Sequence, residues 1–249
     1  MSRPFRTGLD PDQDQDRSGP DPDPTLRKST PDLRRASRWL AAALIPLGPA
    51  AVAVLRYALP YFTADDSAAT VREAAAHEGR QSLVLWCGYA AVLTLVPAVL
   101  WVGRLTRRRA PRLTAAALLL LVPGYLSLGW MAGADALLWS GARADLPQDA
   151  FVRLYDAVHP TTDIAVIVFV LGHLVGTVLL GIALWRTRAV PRWAAVLVVG
   201  CQPLHLASVV AGVPALDLFA WGLNAAGFAA ASAAVLRTPD EEWDVAPAA

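Results

Sequence analysis

His173, His205 and Asn224 each stand near the middle of a long apolar run, where a polar side chain is costly unless it is paired or used. Gln202 lies one helical turn from His205. An antiparallel hairpin turning near residues 186–191 brings position 173 level with about 204, so His173 and His205 fall at one depth, with Asn224 close to it. Three chemistries are open to such a group. Neutral imidazole, phenol and amide side chains can hydrogen-bond between helices and hold a bundle in register, each bond contributing about 1 kcal/mol. Imidazoles in a wet cavity can relay protons. Imidazoles on facing helices can also ligate a b-type haem, and His159 and His173 have a spacing suited to two stacked haems on one helix.

The sequence favours the first of these. Leu218 occupies the position from which a partner for His159 would have to come, and Gly172 with Gly176 marks a helix face packed too closely to admit a porphyrin. No cofactor is therefore expected, with haem b kept as the alternative. Pro46, Pro49, Pro97, Pro123 and Pro203 resemble the interruptions of transporter helices, but no acidic residue falls at mid-depth to support transport. Toward one end, His77 with Glu73 and His159 with Asp163 each place an imidazole and a carboxylate four residues apart. Zinc uses such ligands, yet Pro160 interrupts the second pair and Asp163 suits a helix N-cap, so no metal is assigned. No P-loop, HExxH, GxSxG or CxxCH pattern occurs; no catalytic residue is assigned, and enzyme activity is left open.

The elements that must position these residues follow from composition. Of 249 residues 55% are hydrophobic and 17% charged, too few charges for a typical soluble enzyme. Six apolar stretches are long enough to cross a bilayer, approximately 39–60, 82–102, 113–133, 163–185, 193–212 and 215–236. The expected fold is all-α, a polytopic bundle of six transmembrane helices. Residues 1–38, rich in Asp-Pro and Asp-Gln pairs, read as a disordered tail; 39–237 as the transmembrane domain; 238–249 as an acidic tail. The first apolar stretch starts too far from Met1 for a cleaved signal and is expected to stay as an anchor. Cys87 and Cys201 fall inside spans, which implies no disulfide framework.

Lys and Arg set the orientation. Fourteen flank one side of the spans (including Arg104, Arg107, Arg108, Arg109 and Arg112) and five the other, among them Arg56, which can snorkel from its span end. Both termini are thus expected in the cytoplasm. The run Arg107–Arg109 reads as topogenic, so the bilayer is the expected partner, nucleic acid is not, and no protein partner can be named.

An internal repeat runs through the middle. Ala110-Pro111-Arg112 recurs as Val190-Pro191-Arg192, twelve residues later stand Pro123 and Pro203, and two further on Tyr125 and His205. Trp101 and Trp185 are each preceded by twelve residues by Tyr89 and His173. Spans two and three would form one hairpin and spans four and five a parallel copy, with spans one and six packed around them and Tyr89, Tyr125, His173 and His205 all facing inward. Between spans, capping signals at Asp66, and at Asp145 with Gln148, predict short helices over 68–77 and 147–158.

The string from Ala183 to Ala195 (ALWRTRAVPRWAA), with Gly172-His173 upstream, resembles a recurrent segment of six-span integral membrane proteins of high-GC bacteria that carry a domain of unknown function. Many of these have Pro after the loop histidine, where this chain has Glu78. The resemblance covers 39–237 and implies a helical inner-membrane bundle with no assigned activity.

Overall fold

The computed structural model describes residues 32–243; residues 1–31 of the tail expected over 1–38 and the last six residues lie outside it, and Arg34–Arg38, expected in that tail, instead open the first helix. Among the described residues the chain is all-helical, and six helices are long and apolar enough to cross a membrane. The first span is made of two pieces, α1 (Arg34–Leu44) and α2 (Leu47–Ala58), bent at Ile45-Pro46. Proline has no amide hydrogen to give to the ladder, and Pro49 sits harmlessly in the first turn of α2. The other interior prolines behave differently from expectation. Pro97, Pro123 and Pro203 lie inside α4 (Glu78–Thr106), α5 (Pro111–Arg143) and α8 (Arg192–Ala211), which run through them without a break. The remaining spans are α7 (Thr161–Thr187) and α9 (Pro214–Arg237).

The spans form a closed ring in chain order, α2–α4–α5–α7–α8–α9, with α9 returning to α2. Spans one and six therefore close the ring against each other and do not wrap around two hairpins. The most extensive contact is α5 on α7. It depends on glycine: a Cβ on Gly172 would sit 2.5 Å from the Leu120 carbonyl oxygen and 2.9 Å from Gly124 Cα. Leu95, Leu121, Tyr125, Leu180, Val198 and Phe228 fill the interior, while Trp86, Leu119 and Val210 point outward, as side chains facing lipid do.

One end of the ring is arginine-rich, formed by the α4–α5 and α7–α8 connections and the chain ends. There the acidic tail turns back as α10 (Asp240–Trp243), its Trp243 buried with the ring nitrogen donating to Ser37 Oγ at 2.8 Å. The opposite end carries α3 (Ser67–Ala76) and α6 (Gln148–Asp156), which pack on each other through Val71, Ala74 and Phe151 against Leu138 of α5. Both short helices lie where capping signals place them. Asp66 caps α3, accepting from Ala69 N at 2.6 Å. Asp66→Ala should cost about 1 kcal/mol, seen as faster amide exchange at Ala69. The other capping box does not form: Pro147 precedes α6 with no side-chain cap, and Asp145 takes a left-handed φ of 51° in the turn before it.

At 33 residues and about 1.5 Å each, α5 outruns the hydrocarbon thickness. Its last turns continue past Gly133 to carry Asp135 and Leu138 among the end helices.

Candidate functional site

The ring brings His173 of α7, His205 of α8 and Trp221 of α9 together. Their ring centroids are 5.4 Å apart for the two histidines, 5.8 Å for His173 and Trp221, and 5.7 Å for His205 and Trp221. His173 is buried and stacks on Phe169 one turn earlier at 4.4 Å. Its Nδ1 lies 2.7 Å from the Phe169 carbonyl oxygen. A carbonyl only accepts, so Nδ1 carries the proton and Nε2 presents its lone pair.

His205 has a stronger partner. Its Nδ1 donates to Asp217 Oδ1 at 2.5 Å, and the other carboxylate oxygen accepts from Arg56 Nε at 2.6 Å. Asp217 is fully buried in the first turn of α9, and Arg56 sits in the last turn of α2, its guanidinium over the Phe62 ring at 4.7 Å. One carboxylate thus ties α2, α8 and α9 together just where the ring closes. Burial strengthens both bonds, because little water competes for the charged groups.

The sequence missed this hub. It gave no acidic residue at mid-depth and left Arg56 free to snorkel. Asp217 does lie near a span end, but helix geometry carries its influence one turn inward through His205. The available signal was that Arg56 and Asp217 each stand one turn inside the same end of their spans. Their adjacency depends on ring closure, which spacing does not reveal.

The other residues singled out from sequence separate into groups. Asn224 is buried one turn below Trp221, Gln202 one turn before His205, and Tyr125 on α5. Tyr125 approaches Thr177 Oγ1 only at 3.5 Å, and Gln202 Nε2 finds the Cys201 sulfur at 3.4 Å. His173 Nε2, Gln202 Oε1, Trp221 Nε1 and both amide atoms of Asn224 have no partner among the described residues. Tyr89 does not join them. It is 61% exposed on the outer surface of α4, so the expected inward placement of all four repeat positions fails at the residue matched to His173. A side chain at the span surface can place its ring among lipid, so a shared motif need not share a face.

At the opposite end, His77 donates from Nδ1 to the Glu73 carbonyl at 3.1 Å, with the Glu73 carboxylate 3.8 Å away. His159 turns to the start of α7, where its Nδ1 accepts from Thr161 N at 3.3 Å. Asp163 is not the cap of that helix: Pro160 precedes it, and Asp163 lies in the first turn, where its charge complements the helix dipole. Among the described residues no three His, Cys, Asp or Glu side chains are placed to hold a metal ion.

A second polar group at this end also escaped the sequence reading, which ended span three at Gly133. Asp135 accepts from the Tyr61 hydroxyl and from Gln81 Nε2, the latter at 3.2 Å. Asp135 and Tyr61, with Tyr155, Asp156 and Asp163, line a 450 Å³ cavity. Burial pushes the Tyr61 and Tyr155 phenols above their ordinary range, with Asp135 adding to the effect on both, so each stays a donor.

No curated protein and no solved structure matches the chain. One family does match, over residues 39–236, and so spans the whole ring from α1 to α9: the chain belongs to DUF4386, a domain of unknown function.

Proposed function

We propose that this is a non-enzymatic, multi-pass component of the bacterial inner membrane, inserted with both termini in the cytoplasm, whose helices are held in register by the Asp217 carboxylate on His205 and Arg56. The buried His173, Tyr125, Asn224 and Gln202 pack nearby and, apart from Tyr125 on Thr177, bond no neighbouring helix among the described residues. The observation that carries this reading is Asp217, fully buried between Arg56 and His205 and so joined to the first, fifth and sixth spans at once. A charge at such a place is retained only if it stays paired, which makes the pairing a condition of the closed ring. Orientation rests on the asymmetry of fourteen Lys and Arg against five. A reporter active only in the cytoplasm should work when fused after Arg109 and be silent after Arg143; the reverse pattern would invert the orientation.

A proton-linked role is the second reading, and one observation favours it. Five polar atoms of His173, Gln202, Trp221 and Asn224 lack partners among the described residues. Polar atoms in the membrane interior recruit water where there is room, and water beside His173 and His205 would extend the path from Asp217 inward. Proteoliposomes separate the two readings: His173→Phe should lower stability without changing proton flux if the network is structural, and should abolish flux if it conducts. A haem draws less support, because the His173 and His205 rings already meet at 5.4 Å between centroids, leaving no room for a porphyrin and its iron between them. A Soret band in the purified protein, lost in His173→Phe, would restore it.

A further inference from the structure

At the arginine-rich end, four arginines, Arg104, Arg107, Arg108 and Arg109, line one 320 Å³ cavity. Topogenic arginines need only lie on the correct side of the membrane; nothing in that role requires them to converge. Here the α4–α5 connection brings all four residues around one cavity. Arg109 is fixed by donating to the Thr187 carbonyl at 3.1 Å, and Arg104 lies over the Trp243 ring at 5.1 Å. Arg107 and Arg108 are exposed and have no carboxylate partner among the described residues. The helix α5, which begins just beyond them, has no side-chain cap, so its first amides add to the positive potential.

Among the described residues one carboxylate, Glu242, shares the wall of this cavity. Glu242 enters the wall from α10, which is held in place by Arg38 pairing with Asp240 at 2.7 Å and by Trp243, a wall residue buried with its nitrogen on Ser37. The acidic turn is therefore pinned beside a cavity in which Arg107 and Arg108 have no carboxylate partner among the described residues.

We infer that this cavity binds a phosphate-bearing anion, with Glu242 as the resident carboxylate that the anion displaces. Several arginines around one space can meet the several oxygens and the charge of a phosphate better than the single charge of a carboxylate. The phosphate can belong to a lipid headgroup, which the position at the end of the membrane spans brings within reach, or to a small soluble molecule.

The test uses the full chain in neutral detergent, titrated with inorganic pyrophosphate, and in nanodiscs of phosphatidylcholine with or without phosphatidylglycerol. Binding is read as the change in tryptophan fluorescence that is lost in Trp243→Phe. Saturable binding of pyrophosphate assigns a soluble ligand, and a response confined to phosphatidylglycerol assigns a headgroup; either supports the site. The double variant Arg107→Gln/Arg108→Gln should bind at least about tenfold more weakly. Glu242→Gln should bind several-fold more tightly. Arg35→Gln/Arg112→Gln removes the same charge from the same end without touching the cavity, and should change affinity no more than about twofold. No saturable binding to the wild type or to Glu242→Gln, or equal weakening in both arginine pairs, would overturn the proposal.

Discussion

Gly172→Ala is expected to be among the most damaging single substitutions in the chain, although it adds one carbon atom. The new Cβ would lie 2.5 Å from the Leu120 carbonyl oxygen and 2.9 Å from Gly124 Cα. Both are backbone atoms, so no side-chain rotation relieves the contact, and α5 and α7 must move apart along the largest interface in the ring. Within a membrane the loss is hard to recover, because helix association there depends on close packing and not on removal of apolar surface from water. A cost of about 3 kcal/mol is expected, at the upper end for overpacking. Gly133→Ala on the same α5 helix supplies the comparison, since nothing lies within 4 Å of its added atom. That variant should be neutral or slightly stabilised through helix propensity. Unfolding of purified protein in a mixed-detergent titration checks both. Equal midpoints for the two alanine variants would mean that α5 and α7 are not in backbone contact.

The second large effect belongs to Asp217. Asp217→Ala leaves the Arg56 cation and the His205 ring without their shared acceptor in a fully buried position, and removal of one partner from a buried ion pair costs about 3–5 kcal/mol. Arg56→Ala should cost less, because its guanidinium is partly exposed at the span end and can be replaced by water. The two losses should not add. In the double variant each residue's absence removes the other's penalty, and the coupling should exceed the roughly 1 kcal/mol ceiling of exposed pairs. A cycle in the same unfolding assay that gives additive losses would leave Asp217 as an isolated polar residue and not the hub of the ring closure.

The spans themselves were legible because the bilayer imposes a length and a composition on each, and the short end helices because Asp66 and the apolar faces mark them. The meeting of His173 with His205 was legible for a geometric reason: an antiparallel hairpin fixes depth by counting residues from its turn. Asp217 and Arg56 were not, since they lie on helices whose adjacency requires the ring to close. Asp135 was hidden by a span boundary drawn at Gly133, where hydropathy falls but the helix continues for ten more residues. Tyr89 shows the limit of the repeat. Equivalent positions in the two hairpins face different surroundings, because α4 and α7 occupy different places in the ring: α7 presents His173 to α8 and α9, whereas Tyr89 is left on the outer surface.

The central claim is that Asp217 holds His205 by its Nδ1, and the chain contains only four histidines, so each can be resolved. Nitrogen-15 NMR of histidine-labelled protein in nanodiscs tests it directly. His205 should show a protonated Nδ1 with a strongly deshielded, hydrogen-bonded proton, and Asp217→Asn should remove that signature while leaving His77 and His159 unchanged. His173 should show a protonated Nδ1 in both proteins, held by the Phe169 carbonyl. A His205 spectrum that is the same with and without the Asp217 carboxylate would contradict the account.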